Sequence, residues 1–192
     1  MAGELEAVAR RYTPLYEGML LRYAALVAAQ RFVAETGEAG PVCIVEIGVG
    51  SGVSSNEMIS DLGHRRVVSN YIRIDSMIED PTDAIQFEHP GMVLLQGDST
   101  DPEIIAQVPG PIHMLFVDGD HSYSGAKADV LHYGPLVGVG YLMVMHDVIY
   151  TGARQVLEET LQSPCWKLHF AAHEQVQPND LTPGIAILER VQ

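Results

Sequence analysis

Cysteine is scarce: Cys43 and Cys165 are the only two. That is too few for a disulfide framework, and Cys43 lies in an apolar run where it reads as a small buried hydrophobe. A reducing, cytoplasmic setting is therefore expected. Positive charge is scarce too. Lys and Arg number 11 against 25 Asp and Glu, for a net charge of -14, and Lys127 and Lys167 are the only lysines. Proteins that bind nucleic acid or anionic membranes carry the opposite sign, so neither partner is expected. No apolar run approaches the ~18 residues of a membrane span. The opening "MAGELEAVARRYTPLYEGML" lacks the basic-then-apolar pattern of a secretory signal. No internal repeat or low-complexity segment is visible. What remains is 192 residues, 47% of them hydrophobic, which suits one domain with a sizeable core.

Apolar residues recur at helical spacing from Leu15 to about Ala34 (Leu15, Met19, Leu20, Tyr23, Leu26, Val27, Val33), which predicts an amphipathic helix stopped by "TGEAGP". From there strands and helices alternate. Strands are predicted at Val42–Ile47, Val68–Asp75, Gly91–Asp98, Ile112–Asp120 and Gly140–Asp147. Between them lie helical stretches such as "SSNEMISDL", "DPEIIAQV", "SGAKADVLHYGPLV" and "GARQVLEETLQ", and a loop with a short helix at Met77–His89. "WKLHFAA" and "GIAILER" close the chain as two strands joined by loop alone, which permits an antiparallel pair at one edge. The alternation predicts an α/β domain with a mostly parallel sheet and helices on both faces. It spans residues 1–192 as one unit, a helical segment over 1–40 preceding a core over 41–192.

Ligands of such sheets sit at the carboxyl ends of the strands. Five successive strands end on or near a carboxylate: Glu46, Asp75, Asp98, Asp118 and Asp147. A helix or turn cap would explain any one of them; five in succession favour a site. The first strand runs into "IGVGSG", with Gly48, Gly50 and Gly52 at alternate positions. The dinucleotide fingerprint G-x-G-x-x-G would need glycine at residue 53, which is Val53, so a nicotinamide oxidoreductase is disfavoured.

"VEIGVGSG" resembles the first motif of class I S-adenosylmethionine-dependent methyltransferases. The resemblance covers about Val42 to Gln192. It implies a Rossmann-like fold with a seven-stranded, mostly parallel sheet, one antiparallel edge strand and helices on both faces. It implies S-adenosyl-L-methionine as cofactor, with Glu46, Gly48, Gly50, Ser51 and Gly52 around its amino-acid part. Asp75 matches the acid that accepts hydrogen bonds from the ribose hydroxyls, a task suited to a carboxylate; Ser76 follows it. "GDS", Gly97–Asp98–Ser99, resembles the segment bordering the adenine, and Asp118 closes the pocket.

"LFVDGDHSYSGAKADVLHYGPLVGVGYLMVMHD" is similar to a bacterial group of small class I methyltransferases with Asp-Gly-x-His-x-Tyr after strand four and His-Asp after strand five. More distantly it resembles metal-dependent catechol-type O-methyltransferases and the sugar O-methyltransferases of macrolide pathways. The resemblance implies a divalent metal at Asp118, His146 and Asp147. The relatives place two oxygen donors at the adjacent pair, whereas here His146 comes first. Either the ion is Mn or a softer one rather than Mg, or His146 is not a ligand. The relatives' catalytic lysine position is His121, so His121 or His146 accepts the proton while Asp118 helps polarise the acceptor. The implied reaction is metal-assisted O-methylation of a small hydroxylated molecule such as a sugar or natural product. The alternative is a cofactor-binding protein of the same fold with changed or lost chemistry. No Asn-Pro-Pro-Tyr motif follows strand four, which argues against base or amide methylation. The short chain leaves little room for a substrate domain, so the acceptor is small or a homodimer closes the site.

Overall fold

In the computed structural model, described over residues 15–38, 40–50, 52–64, 69–76, 91–149, 151–172 and 184–192, the alternation resolves into twelve elements. They are α1 (Leu15–Thr36), β1 (Val42–Ile47), α2 (Val53–His64), β2 (Ser69–Asp75), β3 (Met92–Gln96), α3 (Pro102–Ile105), β4 (Ile112–Val117), α4 (Tyr123–Tyr133), β5 (Val137–His146), α5 (Thr151–Gln162), β6 (Trp166–Ala172) and β7 (Ile185–Arg190). The expected short helix over 77–89 and the loop over 173–183 lie outside the described residues, as does Ser51.

The sheet has seven strands in the order β3-β2-β1-β4-β5-β7-β6. The order reverses between β1 and β4, which pair in parallel from Ile44↔Met114 to Ile47↔Val117. Every residue of β1 and β4 is buried. A strand buried on alternate sides must be covered on both faces, which explains why these runs lack the polar alternation of a half-exposed strand. α1 packs on α2 and against β1, β4 and β5, while α4 and α5 pack together against β4, β5 and β6.

The expected antiparallel pair closes the sheet at this edge, and β7 is its reversed strand. β7 pairs antiparallel with both β5 and β6, so it lies between them, and the edge strand β6 runs with the rest. The crossover through α5 carries the chain past β5 and leaves a gap one strand wide. The return segment fills that gap in the opposite direction.

The buried face of α1 differs from the expected one. Met19, Tyr23 and Val33 are exposed, and the helix buries Leu21, Ala24, Ala25, Ala28 and Ala29 instead. The physical reason is distance. Alanines let the helix axis approach the sheet closely, whereas larger side chains would hold it off. Tyr23 stays useful on the outside, its hydroxyl 3.0 Å from His169 Nε2 on β6.

Candidate active site

The glycine loop leaves β1 with positive φ at Gly48 (84°), Gly50 (50°) and Gly52 (77°). A Cβ on Gly48 would sit 2.0 Å from the Asp118 carbonyl oxygen, so only glycine lets the end of β1 pass the end of β4. A Cβ on Gly50 would meet nothing within 4 Å: that residue faces the open cleft. Asp75, at the end of β2, accepts the amides of Val49 (2.8 Å) and Gly50 (3.0 Å) on its Oδ2. The acid therefore shapes the loop from the end of β2. Ser76 beside it is exposed.

Glu46 lies at the end of the first strand, beneath the loop. It is fully buried under the loop, and its carboxylate accepts the hydroxyls of Ser54 (2.6 Å), Ser55 (2.5 Å) and Tyr71 (2.6 Å). Its Oε1 accepts only Ser54, while its Oε2 accepts both Ser55 and Tyr71. Its role is to tie β1, β2 and the start of α2 together beneath the loop. Burial outweighs the three hydroxyls and pushes its pKa up to about 7.

The segment after β3 is engaged with its own neighbours, although Asp98 itself is exposed. Asp98 accepts the Thr100 amide (2.8 Å) and hydroxyl (2.7 Å), which lowers its pKa. Ser99 donates its hydroxyl to Asp129 of α4 (2.6 Å), and its carbonyl accepts the Tyr133 hydroxyl (2.7 Å). Gly97 sits against Ile104, its amide donating to the Asp75 carbonyl.

Chemistry-bearing side chains converge where β4 and β5 end. Asp118 follows β4, and His146 is the last residue of β5, with Asp147 next. His121 lies just before the Ser122 cap of α4, in a turn held by Asp120, which accepts the Ser122 amide and hydroxyl at 2.8 Å each. Gly152 lets α5 close on this turn: a Cβ there would lie 2.5 Å from the His121 carbonyl oxygen. His121 Nδ1 is 2.7 Å from Asp147 Oδ2, and its Nε2 is 3.6 Å from Asp118 Oδ1. His146 Nδ1 is 2.8 Å from Asp118 Oδ1 and 3.6 Å from Asp147 Oδ2. His121 is half-exposed at the mouth, whereas the His146 side chain is only 11% exposed. The four expected residues are thus brought together, and His121 belongs in the same carboxylate cluster as His146. One ligand atom each from Asp118, His121 and Asp147 lie within 4.8 Å of one another.

The charges are strongly coupled. Asp118 and Asp147 raise His121 to about 10. Burial opposes charge on His146, but Asp118, Asp147 and Glu17 together outweigh it and push it up to about 12. Burial likewise works against charge on Asp147, yet the two histidines hold it down at about 2. Two features lay outside the sequence reading. Glu17 of α1 is fully buried, with Oε2 3.1 Å from His146 Nε2 and Oε1 accepting the Gly184 amide at 3.2 Å. A carboxylate in phase with Leu21, Ala24 and Ala28 on the buried helix face was the available signal. The second is backbone: Asp147, with φ 57°, is the only non-glycine among the described residues with positive φ, a conformation that concentrates at functional sites. No sequence pattern marks it.

The donors fit a divalent ion. Asp118, Asp147 and the His121 imidazole offer mixed oxygen and nitrogen ligands, and His146 Nδ1, buried with no aligned hydrogen bond beside the same carboxylates, is a second candidate nitrogen. The cleft over Gly50, beside Asp75, fits a ligand that must approach bare backbone. Among the described residues no helix is long and apolar enough to cross a membrane.

A family model described as "Methyltransferase domain" matches residues 45–148. No curated protein sequence matches the chain. Among solved structures, the O-methyltransferase TomG from Streptomyces achromogenes, involved in tomaymycin synthesis and solved with S-adenosylmethionine, is 14% identical over 95% of this chain and 82% of its own, with a TM-score of 0.66. An rRNA methylase from Streptococcus thermophilus is 13% identical over 91% of this chain and 95% of its own, with a TM-score of 0.64. MycE, a methyltransferase of the mycinamycin biosynthetic pathway solved with Mg, S-adenosylhomocysteine and mycinamycin VI, is 19% identical over 85% of this chain and 48% of its own, with a TM-score of 0.56. At these identities the likeness is one of fold.

Proposed function

The chain belongs to this methyltransferase-domain family, and on that premise we propose that it moves the methyl group of S-adenosyl-L-methionine to a hydroxyl oxygen of a small acceptor, assisted by a divalent ion. The observation that carries the reading is the convergence of Asp118, His121, His146 and Asp147 beside the glycine cleft. The cofactor supplies an electrophilic methyl group, so the chain must supply a deprotonated oxygen and hold it in line.

Asp75 and the backbone of Val49 and Gly50 form the part of the cleft that would hold the cofactor, with Gly97–Ser99 as its rim. Asp118 and Asp147, with His146, would hold the ion. A divalent ion there would supply positive charge that offsets the two carboxylates and would relieve their hold on the His121 proton. His121 is then the base. Its Nδ1–H donates to Asp147 Oδ2, which fixes the tautomer and leaves Nε2 to take the acceptor's hydroxyl proton. A base placed in this way contributes roughly 10²–10⁴-fold. TomG, an O-methyltransferase, supports oxygen as the receiving atom. The rRNA methylase shares the fold, but a net charge of -14 opposes a phosphate backbone as partner. A second copy of the chain closing the acceptor side remains part of the proposal.

The second reading, cofactor binding without this chemistry, draws on the same cluster: without an ion, both histidines are held protonated and neither is a base. Calorimetric titration of S-adenosylmethionine into EDTA-stripped protein, repeated with Mg²⁺, Mn²⁺ and Ni²⁺, separates the readings. Cofactor binding that is lost in Asp75→Ala, together with an ion-dependent heat lost in Asp118→Ala, supports metal-assisted transfer. Cofactor binding indifferent to every ion leaves the second reading, and no cofactor binding overturns both.

A further inference from the structure

We propose that Glu17, reaching in from α1, is a positioning residue that turns His146 into a nitrogen ligand and so makes the site select a transition-metal ion over Mg²⁺. The inference rests on the reading that an ion binds at Asp118 and Asp147.

Three observations carry it. Glu17 is fully buried, which is costly for a carboxylate unless it is bonded, and one of its oxygens faces His146 Nε2 at 3.1 Å. Its other oxygen accepts the Gly184 amide at the start of β7, so the carboxylate is held from two sides and cannot swing to follow the ring. With Nε2–H given to Glu17, Nδ1 is the nitrogen that faces Asp118 and Asp147, at 2.8 and 3.6 Å, and it has no aligned hydrogen bond there. Phe116 stands against the ring edge-on, centroids 6.0 Å apart, and limits its rotation.

This is the arrangement by which a carboxylate orients a metal-binding imidazole and raises its basicity. Two carboxylates alone would suit Mg²⁺. Adding an imidazole nitrogen moves the preference toward Mn²⁺, Co²⁺, Ni²⁺ or Zn²⁺. The consequence is also architectural: an element outside the strand–helix core completes the ligand set, so the docking of α1 and the loading of the site are coupled.

The test uses the EDTA-stripped full chain with Mn²⁺ and Co²⁺ as probes. Electron spin-echo measurements on the Mn²⁺ form should show coupling to a directly bound nitrogen, changing in character when histidine is labelled with ¹⁵N and disappearing in His146→Ala. The Co²⁺ absorption spectrum should shift in Glu17→Leu, with affinity falling about 10–100-fold. Glu17→Gln, which keeps an oxygen for Nε2–H, should recover most of that loss. Competition in the wild type should favour Co²⁺ over Mg²⁺, and that preference should collapse in His146→Ala. Ion binding without nitrogen coupling, or a Co²⁺ spectrum unmoved in both Glu17 variants, overturns the inference and leaves the ion at the carboxylates. No binding of either probe overturns the ion reading itself. If Glu17→Leu does not fold, the wild-type coupling and Glu17→Gln still decide.

Discussion

Glu46→Gln is the sharpest probe of how the floor beneath the glycine loop is built. Glu46 is fully buried and has a pKa of about 7, against 4.5 for an unperturbed glutamate. The folded state therefore holds a proton that the unfolded chain releases between those two values. Where the folded state binds more protons, stability falls as pH rises. The gap corresponds to about 3 kcal/mol, fully expressed above about pH 7 and absent below about pH 4.5. That is a sizeable share of the roughly 5–15 kcal/mol that holds a domain together. Glutamine has the shape of the protonated acid and does not titrate. One of Ser54, Ser55 or Tyr71 must turn from donor to acceptor to meet its amide, which adds an offset that does not vary with pH. The assay is urea unfolding of both proteins at intervals from pH 4.5 to 8. The free-energy difference between them should drift by about 3 kcal/mol in favour of the variant and level off above pH 7. Groups common to both, including Asp147 and the two site histidines, cancel in the difference. Parallel curves would refute the reasoning: the three hydroxyls would then balance burial, and the acid would be charged throughout.

The glycine loop yields a contrast. Gly48→Ala should fail to fold or lose several kcal/mol, because its Cβ would overlap the Asp118 carbonyl at 2.0 Å; circular dichroism and thermal melting decide. Gly50→Ala has open space around it, so it should cost only about 1–2 kcal/mol of left-handed backbone strain yet weaken S-adenosylmethionine at least tenfold by calorimetry. At Asp147, φ 57°, the glycine variant should be about 1 kcal/mol more stable than the alanine variant in urea, since both lose the carboxylate and only alanine keeps the strain; equal stability would show that the backbone relaxes. His121→Ala should leave cofactor and ion binding within threefold of wild type while lowering the methyl-transfer rate roughly 10²–10⁴-fold; lost ion binding would make His121 a ligand instead.

Much of the fold is legible because its causes are local. The runs "VCIVEI" and "IHMLFV" lack polar alternation because both faces are covered, and that pattern can be read without coordinates. The five strand-end carboxylates are equally visible, but their separate duties are not. Glu46 is spent under the loop, Asp98 on a turn, and Asp75 partly on the loop amides; Asp118 and Asp147 alone share a cluster with histidines. What separates them is which neighbour's hydroxyl or amide arrives first, and that depends on packing between distant segments. The same holds for α1. Its large apolar residues suggest one buried face, while the close approach of helix to sheet selects the alanine face and carries Glu17 inward with it.

The place of β7 between β5 and β6 has a consequence for the order of assembly. Strands from β3 across to β5 can pair as they emerge, each beside a neighbour already made. β6 cannot: its sole partner in the sheet, β7, follows it in the chain. Until β7 arrives, β5 presents an open edge and β6 has no strand beside it, only helix contacts with α5 and with Tyr23 of α1, a state with unpaired strand edges of the kind that seeks partners in other molecules. Gly184, at the threshold of β7, is also where Glu17 anchors. The last strand thus latches the sheet and the site in one event, and a chain interrupted there would have neither.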